Sequence, residues 1–512
     1  MALDTRSFLQ PQASKRLLLV NAVMSLIYFF TITFFFHPGN MLLFSLLIAG
    51  EVFHVFQILG FVYTVWDNRV LNPFDRVFNK PVDVFITVCG EPVEIIRETA
   101  KAALAMDYDG DVQVYLLNDG FVANKDNWRE VEALAKELGI HCITRKTPGG
   151  AKAGNINNAA RISKHPYIVV FDADHVPHKN FLKQTMGFFT DEKMGFVQTP
   201  QFYKNMAENR ITQTAWDQQT LFFGPIMSGK NRYNSAFMCG TNMVLSRAAL
   251  DDAGGMVEFN IAEDFLTSLF VHNKGWNSVY VPQVLAEGLA PEDFLSYYKQ
   301  QFRWTRGSLE VIFKYNPLFM RGLTRAQRWQ YLISASYYLS GIVVLIDACI
   351  PLIYLFTGIT AVQTSSMLLA LVFMPYIFLN LYSLQATSNF TFTFNAISFS
   401  LSSFYLQIKA VLAVLTNQKT SFAVTSKKQI QGNFLYLATP QLLYIGLATA
   451  GVVVAFMREG LSASLMANLA WVFVNIAVFL PFIVASAPTL WRLKLPFKSK
   501  TSRRLVKNEN AV

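Results

Sequence analysis

The sequence predicts an α/β domain with a mostly parallel sheet, inserted in an α-helical transmembrane bundle of about six spans. Composition is the first reason, because 52% of the 512 residues are hydrophobic and only 15% are charged, whereas soluble domains carry about 25% charged residues. The second is that all but five of the 34 acidic residues lie between Asp67 and Glu310. These proportions exclude disorder, collagen, a disulfide-stapled secreted domain and a purely membrane-embedded carrier.

Apolar stretches of about 20 residues, long enough to cross a bilayer, lie on both sides of the acidic region. The two that precede it are separated by a turn at residues 37–40, which predicts a hairpin. A further stretch, 390–415, contains Asn395 and Lys409 and is predicted to lie in the membrane interface. The six predicted spans are 17–36, 41–65, 331–356, 367–384, 434–456 and 465–486.

Basic residues beside the first and last spans predict the orientation. Arg6, Lys15 and Arg16 precede the first span, and seven basic residues lie between positions 492 and 507. Because positive flanks mark the cytoplasmic side, we expect a multi-pass protein of the inner or plasma membrane, with both termini and the polar domain cytoplasmic. The expected parts are 1–66, a two-span hairpin; 67–310, the cytoplasmic domain; 311–432, interface helices, two spans and a polar loop; and 433–512, two spans and a basic tail.

Three ionisable residues fall inside predicted spans: Glu51, His54 and Asp347. Such groups are costly in lipid and face protein or water. The sequence leaves two explanations open, the lining of a conduit and a buried pair that locks helices together.

Strand and helix patterns alternate in the polar domain, with strands at 82–88, 112–117 and 167–171 and a helix at 93–105. This alternation predicts a parallel sheet with helices on both faces, in which ligands bind beyond the carboxyl ends of the strands. Asp119 follows the second strand, and Asp172 and Asp174 follow the third. Paired carboxylates can hold a divalent cation that carries nucleotide phosphates, although many such pairs are solvated turns. Neither a GxGxxG loop nor a P-loop is present, which disfavours a dehydrogenase or an ATPase.

Nine short motifs follow one another between residues 81 and 428. Each motif alone is modest support, and their order is specific. They are 87–92 (Thr-Val-Cys-Gly-Glu-Pro), 118–120 (Asn-Asp-Gly), 152–157 (Lys-Ala-Gly-Asn-Ile-Asn), 172–175 (Asp-Ala-Asp-His), 197–200 (Val-Gln-Thr-Pro), 237–242 (Phe-Met-Cys-Gly-Thr-Asn), 262–264 (Ala-Glu-Asp), 288–292 (Gly-Leu-Ala-Pro-Glu) and 300–304 (Gln-Gln-Phe-Arg-Trp).

In this order the motifs resemble those of the inverting family-two glycosyltransferases, specifically the processive cellulose synthase-like branch. The resemblance implies a GT-A-like fold, a UDP-sugar donor and Mg²⁺ or Mn²⁺. It implies that Asp174, together with Asp172, ligates the metal. The donor-site residues that it implies are Thr87, Glu91 and Asp119 at the uridine, Cys89 beside them, and Lys152, Asp172, Gln300 and Arg303 toward the diphosphate.

The resemblance also implies the catalytic and acceptor residues. Asp264, preceded by Glu263, is the implied general base; a solvated carboxylate or a helix N-cap is the alternative. This chain has Ala262 where cellulose synthases usually have Thr, which leaves the polymer open. Helical spacing places Gln300, Arg303 and Trp304 on one face. The alternative to an acceptor site is that this motif anchors the chain at the membrane interface. The implied acceptor-site residues are Trp304, Phe237, Cys239 and Gly240.

One more motif, 422–427 (Phe-Ala-Val-Thr-Ser-Lys), resembles the gating loop of cellulose synthases. The resemblance implies that Thr425 and Lys427 reach toward the nucleotide phosphates. A polar loop with a cationic anchor is the alternative.

The expected activity is that of a processive inverting β-glycosyltransferase that uses UDP-glucose to extend and secrete a cellulose-like β-1,4-glucan. Its expected partners are the growing polysaccharide, membrane lipid and accessory secretion subunits, with no nucleic acid. We expect no regulatory PilZ domain in the 25 or so residues after the last span. The alternatives are a β-1,3-glucan or hyaluronan-like synthase, a non-processive lipid-linked sugar transferase and a transporter.

Overall fold

The computed structural model describes residues 13–70, 72–364, 366–418 and 430–488. The predicted gating loop at 422–427 and the basic tail at 492–507 lie outside these ranges. The strands are β1 (His37–Pro38), β2 (Val82–Val88), β3 (Val112–Asn118), β4 (His141–Thr144), β5 (Tyr167–Asp172), β6 (Val176–Pro177), β7 (Met194–Gln198), β8 (Phe202–Tyr203), β9 (Met243–Ser246), β10 (Asn277–Tyr280), β11 (Ala286–Gly288) and β12 (Val362–Gln363).

Helices surround these strands. The α-helices are α1 (Lys15–Phe34), α2 (Met41–Val65), α3 (Val93–Leu104), α4 (Trp128–Leu138), α5 (Ala151–Ile162), α6 (Phe181–Thr185), α7 (Arg210–Leu221), α8 (Met227–Lys230), α9 (Arg247–Asp252), α10 (Glu263–Asn273), α11 (Phe294–Glu310), α12 (Arg325–Ser336), α13 (Ser340–Thr357), α14 (Ser366–Thr387), α15 (Phe394–Ser402), α16 (Phe404–Leu415), α17 (Thr439–Glu459) and α18 (Ala463–Ser486).

The polar domain is built on a seven-stranded sheet with the order β10-β7-β9-β5-β2-β3-β4. β5, β2, β3 and β4 pair in parallel, as do β10 and β7, and β9 runs antiparallel between β5 and β7. The predicted mostly parallel α/β sheet is confirmed. Its parallel strands bring their carboxyl ends, and the residues that follow them, to one edge.

Both faces of the sheet are covered. Every residue of β2 is buried, and Ile86 belongs to the apolar core on one face while Phe85 belongs to the core on the other. Side chains of a strand alternate between faces, so a strand that is buried along its whole length must be covered on both faces. α3 packs Ile96 into the first core, and α5 packs Ile156 into the second.

Seven helical segments of the described residues are long and apolar enough to cross a membrane, one more than predicted. The additional segment is Phe394–Leu415, predicted as an interface element, in which α15 and α16 meet at Ser403. Protein buries 61% of its apolar window, against 17–33% for the other six segments. Its serines take part in this packing: Ser402 donates a hydrogen bond to the carbonyl of Val478 on α18.

Candidate active site

The carboxyl ends of β2 and β5 bring three predicted donor-site residues together. Thr87 Oγ1 donates a hydrogen bond to Asp172 Oδ1 at 3.1 Å. Lys152, in the first turn of α5, pairs with the same carboxylate and donates to the Gly240 carbonyl at 2.7 Å. Burial raises the pKa of Asp172, but Lys152 and His175 together outweigh burial and hold that pKa below its ordinary value. Asp172 is therefore ionised at neutral pH and anchors the lysine beside it.

Asp119, after β3, is held by an arginine that lies outside the sequence motifs. Arg145 donates from Nε and Nη2 to the two carboxylate oxygens at 2.7 and 2.6 Å, and its Nη1 donates to the Gly149 carbonyl at 2.5 Å. Both side chains are buried. Burial nevertheless raises the pKa of Asp119, with Arg145 opposing it. The arginine thus ties the end of β3 to the glycine-rich turn before α5.

The turn after β2 is closed by Glu91. Its Oε2 accepts a hydrogen bond from the backbone N–H of Cys89 at 2.6 Å, and its carbonyl accepts one from Asn127 at 2.8 Å. Burial raises the pKa of Cys89 to about 11. The thiol is therefore neutral, and Cys89 contributes shape rather than charge to the donor site.

Asp172, Asp174 and His175 form a group of possible metal ligands, with one ligand atom of each within 4.8 Å of the others. Asp174 is 2% exposed, and its Oδ2 accepts from the backbone N–H of Leu289 at 3.3 Å. Both ring nitrogens of the buried His175 lack a hydrogen-bond partner among the described residues. Carboxylate oxygens with an imidazole nitrogen suit a divalent cation, so these residues fit the expected Mg²⁺ or Mn²⁺.

Asp264 and Glu263 begin α10, whose N-cap residue is Ala262. The N-cap alternative for Asp264 is therefore wrong. Gly240 lies between Asp264 and Lys152. A Cβ atom at this glycine would be 3.1 Å from Asp264 Oδ2 and 3.5 Å from Lys152 Nζ, so the two side chains are neighbours. Gly240 also has φ +81°, a backbone conformation that favours glycine. Burial raises the pKa values of the Glu263 and Asp264 carboxyl groups, and repulsion from Asp264 raises the pKa of Glu263 further.

The Gln-x-x-Arg-Trp motif lies on α11. Burial lowers the pKa of Arg303, whereas the carboxylates of Glu263, Asp172 and Asp264 raise it. Its guanidinium group therefore faces the same carboxylates as Lys152. Gln300 hydrogen-bonds Tyr203 at the edge of the site.

The loop that contains Phe237, Cys239 and Gly240 is held by Gln198 at the end of β7. Gln198 Oε1 accepts from the N–H of Cys239 at 2.8 Å, and its Nε2 donates to the Thr241 carbonyl at 2.8 Å. The ring of Phe237 packs edge-on against Phe265, with 4.7 Å between centroids. The loop is thus fixed in front of Asp264.

A cavity of about 910 Å³ connects this site with the membrane helices. Asp264 and Trp304 line it in the polar domain, together with Phe237 and Cys239. It continues past α2 and α13 to Thr360 beside β12, which pairs with β1 at the far ends of the spans. The acceptor-site prediction and the membrane bundle therefore share one continuous space.

The structure brings together Thr87, Lys152, Asp172, Gly240, Asp264 and Arg303, and it places Asp119 with Arg145 and Glu91 with Cys89 at the neighbouring strand ends. Thr425 and Lys427 lie outside the described residues. Sequence reasoning missed Arg145, His175 and Gln198 as contributors. A basic residue one position after β4 was the available signal for Arg145, and the quoted motifs already contained the other two.

The fold and the site define a GT-A-like glycosyltransferase domain set in a membrane-helix bundle. A sequence model described as "Glycosyltransferase like family 2" matches residues 80–307, and one described as "Cellulose synthase" matches residues 251–449. The chain thus carries a family-two glycosyltransferase domain of the cellulose synthase type, and the resemblance found in the sequence is confirmed.

Curated relatives agree with both matches. "Cellulose synthase 2" of Novacetimonas hansenii is 30% identical over 398 residues, 75% of this chain and 24% of that protein. "Cellulose synthase catalytic subunit [UDP-forming]" of Pseudomonas fluorescens (strain SBW25) is 29% identical over 456 residues, 84% of this chain and 60% of that protein. This chain thus spans less than two thirds of the length of each of these two relatives.

A solved structure shares the fold. The mannosyltransferase PcManGT from Pyrobaculum calidifontis, in complex with GDP-Man and Mn²⁺, aligns with a TM-score of 0.51 at 14% identity. The alignment covers 74% of this chain and 100% of that chain. At this identity the likeness concerns the fold.

Proposed function

We propose that this protein is a processive inverting β-glycosyltransferase that uses UDP-glucose to extend a cellulose-like β-1,4-glucan and passes the product across the membrane. The observation that carries the proposal is the continuous cavity, which Asp264 and Trp304 line at one end and Thr360 lines at the other. A site that only transfers sugar to a small acceptor needs no such passage.

The donor binds at the carboxyl ends of β2, β3 and β5. The uridine is held by Thr87, Glu91 and Asp119, with Cys89 beside them. The diphosphate is faced by Lys152 and Arg303, whose positive charges form strong hydrogen bonds with phosphate oxygens. Arg145 positions Asp119 by the bidentate contact described above. The relatives named as UDP-forming support uridine as the nucleoside of the donor. Thr425 and Lys427 are proposed to cover the bound donor.

A divalent cation would be held by Asp172, Asp174 and His175, whose ligand atoms lie within 4.8 Å of one another. When bound, it supplies positive charge that stabilises the departing diphosphate. The mannosyltransferase that shares this fold binds Mn²⁺ together with its nucleotide sugar, which supports the assignment.

Asp264 is the proposed general base. Its carboxylate takes the proton of an acceptor hydroxyl, the hydroxyl oxygen forms a bond to the anomeric carbon, and the bond from that carbon to the UDP oxygen breaks. One in-line displacement inverts the configuration, so an α-linked donor gives a β-linked product. Lys152 and Arg303 face the charge that develops on the leaving group. Trp304 lines the cavity where the acceptor sugar would stack.

The proposed topology places the catalytic domain and both termini in the cytoplasm of a multi-pass inner or plasma membrane protein. The basic flanks support it. The β1–β12 pair would then lie on the outer side, at the exit of the cavity. Accessory secretion subunits would meet the chain there.

Labelled UDP-glucose and purified full-length protein test the proposal. We expect release of UDP and a polymer whose linkage analysis shows β-1,4-glucose. A product of β-1,3-linked glucose would show that the protein makes a different glucan. Polymer that forms only when UDP-linked amino sugars and uronic acids are supplied would show a hyaluronan-like product. Either result would leave the glycosyltransferase assignment in place. Absence of UDP release from folded protein with Mg²⁺ or Mn²⁺ would contradict the activity itself.

A further inference from the structure

The helix α10, which begins with Glu263 and Asp264, has no capping side chain of its own. Its N-cap residue is Ala262, which makes no side-chain hydrogen bond to the helix. Ser, Thr, Asp and Asn are preferred at this position, because a side-chain oxygen accepts from the free N–H groups of the first turn. Asp264 lies in that turn, so the position of the proposed base depends on what else holds the start of α10.

Asn260 holds the start of α10 from the preceding loop. Its Oδ1 accepts a hydrogen bond from the backbone N–H of Ala262 at 2.7 Å, and its Nδ2 donates to Glu310 Oε2 at 2.9 Å. Asn260 is 8% exposed and Glu310 is 6% exposed, so water competes little for these bonds. We call these two side chains the Asn260–Glu310 bridge.

The bridge reaches from α10 to α11, because Glu310 is the last residue of the helix that carries the Gln-x-x-Arg-Trp motif. The other carboxylate oxygen of Glu310, Oε1, lies 3.2 Å from Lys314 Nζ and 3.6 Å from Arg306 Nη2. These cations hold one oxygen of the carboxylate and leave the other to Asn260. Arg303, which faces the leaving group in the proposed reaction, therefore lies on the same helix as the group that supports the base.

The two helices also meet directly beside the bridge. A Cβ atom at Gly307 on α11 would lie 2.7 Å from the backbone N atom of Ala262, so a larger residue would push the helices apart. Packing sets the distance between the helices at this point, but it has no preferred direction. The hydrogen bonds of the bridge are directional, and they fix the orientation of the first turn of α10 relative to α11.

The first turn of α10 supports both the base and the acceptor loop. Asp264 Oδ1 accepts from the N–H of Phe265 at 2.7 Å. Ser268 Oγ donates to the Asp264 carbonyl at 2.7 Å and accepts at 2.8 Å from the N–H of Met238, in the loop 237–240. A base takes a proton from a hydroxyl within about 2.6–3.2 Å, and a misplacement of about 1 Å can lower a rate about 100-fold. A tilt of this turn would therefore slow proton transfer without removing a donor contact.

We propose that Asn260 and Glu310 are positioning residues for sugar transfer, which hold the first turn of α10 so that Asp264 meets the acceptor hydroxyl while Arg303 faces the departing diphosphate. This inference rests on the proposed function and deepens it. Neither residue of the bridge lines the cavity described above, so both act through Asp264. The bridge supplies the support that the side chain of Ala262 cannot.

Kinetics of full-length protein in detergent test the proposal. Asn260→Ala removes both hydrogen bonds of the bridge, and we expect it to lower kcat for UDP release during polymer synthesis about 10- to 100-fold. The KM for UDP-glucose and the Kd of UDP should change less than about threefold, because the variant leaves the donor site intact. Rates are expressed per UDP-binding site, so that a loss of folded protein does not count as a loss of kcat.

A reversed bridge provides the rescue. In Asn260→Asp/Glu310→Gln the donor and the acceptor change places: the new carboxylate accepts from the N–H of Ala262 and from the new amide, and the net charge of the pair is unchanged. Because the pair acts as one unit, we expect a kcat within about threefold of the parent's. The matched control is Glu258→Gln, since this exposed carboxylate also accepts from an asparagine, Asn157, at 2.7 Å but lies outside the bridge. It should keep the parent kcat.

Parent-level kcat in folded Asn260→Ala, or a loss confined to KM, would overturn the proposal, and so would a reversed bridge as slow as Asn260→Ala. If Asn260→Ala does not fold, Asn260→Ser, which retains an acceptor for Ala262 but is too short to reach Glu310, carries the same comparison. UDP release by the parent separates the two failures. Its absence contradicts the proposed function, whereas equal release by the parent and by Asn260→Ala contradicts this inference alone.

Discussion

The two carboxylate clusters along the cavity differ in what surrounds them. At the carboxyl ends of the strands, Asp172 and Asp264 face the cations of Lys152 and Arg303. In the membrane, Glu51 and Asp347 share the imidazole of His54 between them. Cations beside carboxylates suit a highly charged donor and a displaced diphosphate. Carboxylates with few cations suit hydroxyl groups.

In the proposed function, the donor would react at the ends of the strands, where cations and carboxylates are concentrated. The polymer would then pass the second cluster, in which two carboxylates share one imidazole. Both clusters depend on chain segments far apart in sequence, since α2 and α13 supply the second. Changes to the first cluster should therefore alter chemistry, and changes to the second should alter polymer recognition.

The largest effect is expected from Asp264→Asn. Loss of the base should lower polymer synthesis by about 100- to 10,000-fold, while UDP binding stays nearly intact because the variant removes no proposed nucleotide contact. Synthesis from UDP-glucose and UDP binding measure the two. Asp252→Asn, an exposed carboxylate paired with Lys274, is the control. Near-normal synthesis by folded Asp264→Asn protein would remove the assignment.

Asp174→Ala should weaken metal-dependent UDP binding by about 10- to 100-fold, the range seen when a metal's supporting groups are lost. Chelation with EDTA should inhibit the parent protein. UDP binding titrated with and without Mn²⁺ checks this, with Asp107→Ala, an exposed partner of Lys183, as the control. Activity that survives thorough chelation would show that Asp172, Asp174 and His175 do not form a metal site.

The pH profile of synthesis distinguishes the clusters further. Burial raises the pKa of Asp264, and its neighbours are Glu263, Asp172, Lys152 and Arg303. Only the ionised carboxylate accepts a proton, so synthesis should fall about tenfold per pH unit once the pH drops below that raised pKa. We expect this decline well above about pH 4, where an ordinary aspartate titrates. A decline confined to the ordinary range would contradict the buried base.

Arg145→Met should have the smallest effect on the chemical step and act mainly on stability. Removing one partner of a buried ion pair leaves Asp119 uncompensated, which costs about 3–5 kcal/mol. Arg97→Met breaks an exposed pair with Glu137 and should destabilise the protein far less, because solvent screens surface ion pairs. Urea unfolding of both variants in detergent gives the comparison. Equal decreases in the free energy of unfolding would show that the buried pair of Arg145 with Asp119 stabilises the protein no more than the exposed pair does.

Much of the fold follows from the sequence because hydropathy and strand patterns are local. β2 has the predicted bounds Val82–Val88, and α2 has the predicted bounds Met41–Val65. The antiparallel strand β9 was not foreseen, since Met243–Ser246 is short and buried throughout and shows no alternation. Phe394–Leu415 was assigned to the interface because its polar residues lower its hydropathy, although its serines Ser398, Ser402 and Ser403 are buried in the structure.

The candidate site could be predicted from the sequence where a single strand end carries its own motif, as with Asp172 and Asp174. Contacts between residues of different strands could not be predicted, because no local sequence pattern indicates a pair such as Arg145 with Asp119. The shared cavity was likewise beyond the sequence. It depends on how helices distant in the chain pack around a space.

Sugar transfer and membrane passage are proposed to share one cavity, and polymer made by reconstituted protein tests this directly. The measurement uses proteoliposomes with the catalytic domain outside, supplied externally with labelled UDP-glucose and then treated with a β-1,4-glucanase. A shared cavity predicts labelled polymer that resists the enzyme until detergent opens the vesicles. Polymer that is fully degraded without detergent, from protein that releases UDP normally, would contradict it.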